Sequence, residues 1–130
     1  MTRRPVSLLA AARACENHVY LVSSTYEDVI AVARFDARIQ LSAEARGEVA
    51  RVRAHVDALA SSDSPVYGIS TGFGALATKH IPADHRTQLQ KSLIRSHAAG
   101  MGPVVEREVV RAMMFLRAKT LASGRTGVRP

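Results

Sequence analysis

The stretch VYGISTGFG, Val66 to Gly74, constrains this chain more than any other. Val66, Tyr67 and Ile69 are β-formers, so it begins like a strand. Gly72 and Gly74 then flank a lone Phe73, a pattern that suits neither a regular strand nor a helix. Glycine serves backbone that needs positive φ or close approach to another group. The residues alone leave two readings open. One is a strand end followed by a bulge or turn. The other is a mobile loop that carries a reactive phenol on Tyr67.

Helical patterns lie on both sides. Thr25 opens TYEDVIAVAR with Asp28 three residues later, an imperfect capping box with acids in the first turn. Val29, Ile30, Val32 and Ala33 give that short helix an apolar side. RIQLS reads as a brief extended piece. Ser42 then caps a long helix in which Ala45, Val49, Val52, Val56 and Leu59 keep helical spacing. SSDSP breaks it before Val66. Beyond the glycines, Pro82 fits the first turn of a helix carrying Leu89, Leu93, Ile94 and Ala98, with Gly100 and Gly102 as its stop. Pro103 is expected to start the next helix. There Val109, Met113 and Leu116 line one face beside Val110, Met114 and Leu121, and Gly124 sits at C′. Met113, Met114 and Phe115 read as core. The expected fold is mainly α, with one or two short strands near Val19 to Val22 and Val66 to Ile69.

A chain of 130 residues, 47% apolar, is long enough for one domain with a real core. No apolar run approaches the ~20 residues of a membrane span. The opening MTRRPVSLLAAARA is basic and then apolar like an export signal. Arg13 interrupts it and Glu16 follows, so it reads as an ordinary, poorly ordered terminus. Cys15 is the single cysteine, which excludes an internal disulfide and fits a reducing cytoplasm. Net charge is +7, and the excess lies from Lys79 onward, where ten Lys and Arg face only Asp84, Glu106 and Glu108. Trp is absent and aromatics are few, so a stacking surface for single-stranded nucleic acid is not expected. The basic half suits an anion or an acidic protein surface.

Other chemistries lack their residues. His80 and His85 are five apart, off the i, i+4 spacing of helical metal ligands, and no metal site is expected. GFG has neither the lysine nor the spacing of a phosphate-binding loop. Ser70 and Thr71 stand in no elbow pattern with His and Asp. Tyr67 remains, together with His97 in SHAAGMG. Alone, His97 reads as a capping histidine at a helix C-terminus.

Taken together, STYEDVIAVAR, the helix leading into YGISTGFG, LQKSLIRSHAAGMG and VVRAMMFLRAKTLASGRTGVRP resemble the amino-terminal part of the aromatic amino acid ammonia-lyase family. The family holds histidine, phenylalanine and tyrosine ammonia-lyases and the related aminomutases. The resemblance covers residues 22–130, with 1–21 as an unassigned leader. It implies the family's helical fold and a glycine-rich catalytic loop formed by Gly68, Thr71, Gly72, Phe73 and Gly74. Tyr67 falls on the acid/base that moves the substrate's β-proton. A phenol ionises near pH ~10, so such a base needs nearby donors or cations. Ser96 and His97 fall on positions that help choose the substrate side chain, and the Ser-His pair resembles histidine ammonia-lyases. Phenylalanine or tyrosine lyases and aminomutases remain as alternatives.

The same resemblance implies an electrophile, a methylidene-imidazolone made from an Ala-Ser-Gly downstream of the segment ending in Val128 and Arg129. The Ala122-Ser123-Gly124 of this chain precedes that segment and reads as a helix terminus. The expectation is an amino-terminal domain or fragment of a cytoplasmic homotetrameric lyase, inactive without its downstream electrophile. A non-catalytic basic interaction module with the same fold is the rival from another class.

Overall fold

The computed structural model describes Leu8, Ala10, Ala11 and residues 18–130. Cys15 and most of the leader lie outside the described residues. In chain order the elements are β1 (Val19–Tyr20), α1 (Tyr26–Phe35), β2 (Ile39–Gln40), α2 (Ala43–Ala60), α3 (Arg86–His97) and α4 (Arg107–Ala122). Short 3-10 turns occur at Gly74–Leu76 and Ala83–His85. The fold is mainly helical with a two-stranded sheet, as the patterning predicts. Two compact units form, Met1–Arg53 with Val104–Pro130, and Ala54–Pro103.

In the first unit, β1 and β2 pair in parallel with Val19 opposite Ile39. Parallel strands need a crossover, and α1 supplies it. The α1 N-terminus carries the expected capping box, in which the Thr25 N–H donates to Asp28 Oδ2 at 2.7 Å. Its C-terminus turns at Asp36, whose φ is +55°, and the Ala37 N–H reaches back to Ala31 O at 3.1 Å. Ser42 caps α2 through its hydroxyl oxygen, which accepts the Ala45 N–H at 3.1 Å.

α1 packs on α4. Val19, Leu21, Ala31, Val32, Ala37, Phe115 and Ala122 form the core between the strands and these helices. Polar contacts pin the pair. Arg111 donates to Val32 O from Nε at 3.0 Å and from Nη2 at 2.7 Å. Asp36 accepts from Arg107 at 2.9 Å and lies 3.1 Å from Arg111. The Arg107 hydrogen bond holds the Asp36 carboxyl below its ordinary range. Arg34 meets Glu108 at 2.7 Å.

Several expectations are corrected. Val66 to Ile69 forms a turn rather than a strand, because side-chain hydrogen bonds from Ser70 and Thr71 capture its backbone. Pro82 precedes a 3-10 turn, with α3 proper starting at Arg86 and ending at His97, before Gly100. α4 starts at Arg107 rather than at Pro103. Phe115 is core at 2% exposure, but Met113 and Met114 are 64% and 67% exposed. Apolar spacing marks a face without saying what covers it. Gly124 does follow the α4 C-terminus with φ +70°.

Candidate active site

The second unit carries the glycine-rich segment, and its two polar residues organise it. Ser70 is fully buried and Thr71 is 2% exposed. The Ser70 hydroxyl oxygen accepts the Val66 N–H at 2.9 Å, while the Ser70 and Ile69 N–H groups both reach Val66 O at 3.0 Å. Thr71 Oγ1 accepts the Gly68 N–H at 3.3 Å and donates to Gly72 O at 3.1 Å. Thr71 pairs with His80 in an isolated antiparallel bridge. Around it the Gly72 N–H reaches Lys79 O at 3.2 Å and the Ile81 N–H reaches Ser70 O at 2.9 Å.

Two glycines here answer to geometry. Gly68 has φ +71°, which L side chains rarely adopt, and a Cβ there would lie 3.1 Å from the Phe73 ring. At Gly72 a Cβ would sit 2.6 Å from Leu76 Cβ and 3.0 Å from Leu76 O, closer than atoms approach. Gly74 opens the 3-10 turn that brings Leu76 over Gly72. The bend raises Tyr67 to 62% exposure, with its ring edge-on to Phe73 at 5.8 Å and 81°. An aromatic neighbour in that edge-on geometry is a favourable ring contact.

Ser96 and His97 close α3. The Ser96 hydroxyl donates to Leu93 O at 2.9 Å. His97 Nδ1 lies 2.9 Å from Leu93 O and 2.9 Å from Ser96 Oγ. The carbonyl of Leu93 lies four residues back inside α3, so His97 bonds back onto its own helix rather than capping the final carbonyls. Both residues are exposed. No hydrogen bond among the described residues joins Tyr67 to Ser96 or His97.

Arg86, which sequence reasoning passed over, lies at the start of α3. Its Nη1 donates to Ala60 O at 2.7 Å and its Nε to Ile81 O at 3.0 Å. A partner 26 residues away leaves no periodic signal, so spacing could not have found it. Ser70 carries no elbow pattern in the sequence, and its buried hydroxyl instead shapes the turn.

Ala122, Ser123 and Gly124 form a helix end, as expected. Ser123 caps α4 in helical conformation, and its hydroxyl donates to Thr120 O at 2.8 Å. A Cβ on Gly124 would lie 3.0 Å from Glu48 Cβ, so the triplet is also closely packed.

The sequence profile of the aromatic amino acid lyases matches residues 24–130. The chain is 65% identical over 107 residues to a histidine ammonia-lyase of Streptomyces griseus, covering 82% of this chain and 21% of that one. It is 48% identical over 108 residues to a histidine ammonia-lyase of Treponema denticola, covering 83% and 21%. A tyrosine ammonia-lyase of Cupriavidus metallidurans is 42% identical over 106 residues, covering 82% and 20%. Among solved structures, tyrosine aminomutase from Streptomyces globisporus superposes with a TM-score of 0.80 at 32% identity, covering 86% of this chain and 22% of that one. The chain thus spans about a fifth of the length of the relatives it matches. A profile match over this much of the sequence carries the assignment, and the chain belongs to the aromatic amino acid lyase family.

Proposed function

We propose that this chain is the amino-terminal part of a lyase that eliminates ammonia from histidine to give urocanate. The observation that supports the substrate is that the relatives matching at 65% and 66% identity are histidine ammonia-lyases, while more distant histidine ammonia-lyases at 44% and 45% stand beside a tyrosine ammonia-lyase at 42%. On this reading Tyr67 takes the β-proton of the bound amino acid. Its exposed side chain on a hydrogen-bonded turn suits that task, since a base must reach substrate from a defined position. His97 orients the imidazole of the substrate, with Ser96 fixing the His97 ring through its hydroxyl.

The family resemblance implies a methylidene-imidazolone, which makes the amino group a better leaving group. The residues of this chain do not fit as its source. Cyclisation would bring the Gly124 nitrogen onto the Ala122 carbonyl, but the triplet is held as a hydrogen-bonded helix end against Glu48. The group belongs to sequence outside these 130 residues, and this chain alone should be inactive. The same reading assigns a cytoplasmic homo-oligomer, a tetramer as the resemblance implies. Among the described residues no helix is long and apolar enough to cross a membrane.

Incubation of the full-length native protein with histidine, phenylalanine and tyrosine tests the reading. Urocanate absorbance with histidine, and far slower product from the other two, is expected. Preference for tyrosine or phenylalanine would overturn the substrate. Failure with all three would overturn the lyase.

A further inference from the structure

We propose that Arg86 is a positioning residue for Tyr67, a role that rests on the lyase reading above. One side chain clips both ends of the segment that carries the phenol. Upstream, Nη1 donates to Ala60 O at 2.7 Å, at the last residue of α2. The final carbonyls of a helix have no partner within it and form the negative end of its dipole, so a guanidinium suits that place. Downstream, Nε donates to Ile81 O at 3.0 Å. Ile81 in turn donates its N–H to Ser70 O at 2.9 Å, and Ser70 Oγ accepts the N–H of Val66, the neighbour of Tyr67.

Arg86 is thus connected to Val66, the residue before Tyr67, by three hydrogen bonds joined through Ile81 and Ser70, all inside one compact unit, Ala54–Pro103. The chain between Ala60 and Ile81 has no α-helix and a single isolated bridge of its own. Without the clip its ends lose their anchor, and the turn that raises Tyr67 samples more conformations. The fork matters. Arg presents several donors in a fixed plane, so one group can span two carbonyls. Lys carries its three donors on one nitrogen and cannot reproduce the spacing of Nε and Nη1 on the two carbonyls. A misplacement of about 1 Å in a catalytic group can cost ~100-fold in rate, so a clip remote from substrate still bears on turnover.

The test has two arms. Amide hydrogen exchange is measured on the full-length protein, wild type against Arg86→Gln and Arg86→Lys. Exchange at Gly72 and Ile81 should rise about tenfold in Arg86→Gln, as expected for losing a charged hydrogen bond, and less in Arg86→Lys. Amides of α1 and α4 should stay unchanged. No change at Gly72 and Ile81, or an equal rise in α1 and α4, overturns the clip. Kinetics with histidine then follow on the full-length protein. Arg86→Gln should lower kcat about 10- to 100-fold with KM little changed, and Arg86→Lys should recover part of it. A change in KM alone overturns the positioning role. A wild-type protein with no turnover would count against the lyase reading, and the exchange arm would still decide the clip.

Discussion

At Gly72 and Gly47 the same substitution should have opposite effects. A Cβ at Gly72 collides with Leu76 Cβ at 2.6 Å and with the Leu76 carbonyl at 3.0 Å, so Gly72→Ala must shift the loop backbone. It should cost about 1–3 kcal/mol, the usual range for overpacking. Gly47 lies inside α2 with nothing within 4 Å of a built Cβ. Gly47→Ala should therefore stabilise by about 0.5–1 kcal/mol through helix propensity. Urea unfolding of the two variants checks both signs. A neutral Gly72→Ala would mean that Leu76 yields without cost. The residue scale is also where sequence reasoning was least complete. Ser70 and Arg86 act through backbone groups whose proximity only the folded chain creates. Tyr67 and the glycines stood out because few structures call for that composition.

Elements were legible where their signals are local. Thr25 with Asp28, and Ser42 with the Ala45 N–H, are caps set within three residues, and both formed as read. The strand expected at Val66 to Ile69 did not form, because β propensity there yields to the hydroxyls of Ser70 and Thr71. In α4 the apolar residues were found, but their division into core and surface depends on what packs against them. Phe115→Ala should cost about 3–5 kcal/mol, whereas Met113→Ala should fall within about 0.5 kcal/mol. Thermal unfolding of each would show it, and a costly Met113→Ala would place that side chain in a core. The Asp36 pair with Arg107 supplies a pH test. Its carboxyl is held below the ordinary value. The contribution is present above the unfolded carboxylate pKa, near ~4, and is lost as pH falls through the lower folded value. Asp36→Asn should flatten that acid limb slightly, since the pair is exposed. An unchanged acid limb would mean that the pair persists in the unfolded chain or contributes nothing.

For the whole molecule, exposure is the quantity to explain. Val109, Val110, Met113, Met114 and Leu116 are all exposed on α4, in a chain whose net charge is +7. Apolar surface gathered on one helix favours association. The 130-residue chain should bind an apolar dye and sediment above its monomer mass of 14.0 kDa. A dye-silent monomer would show that this surface is tolerated in water. The fold class and family were legible because whole segments kept the family's order. The role of each site residue lies beyond what order alone can carry.

The central claim is that the phenol of Tyr67 moves a proton. Tyr67→Phe in the full-length protein tests it most directly, because the ring and its edge contact with Phe73 remain while the hydroxyl is lost. A positioned acid/base group is worth ~10²–10⁴-fold in rate. The predicted result is a fall in kcat with histidine of about that size, with KM little changed. A variant that keeps most of its kcat would contradict the account and leave Tyr67 as a packing residue of the loop.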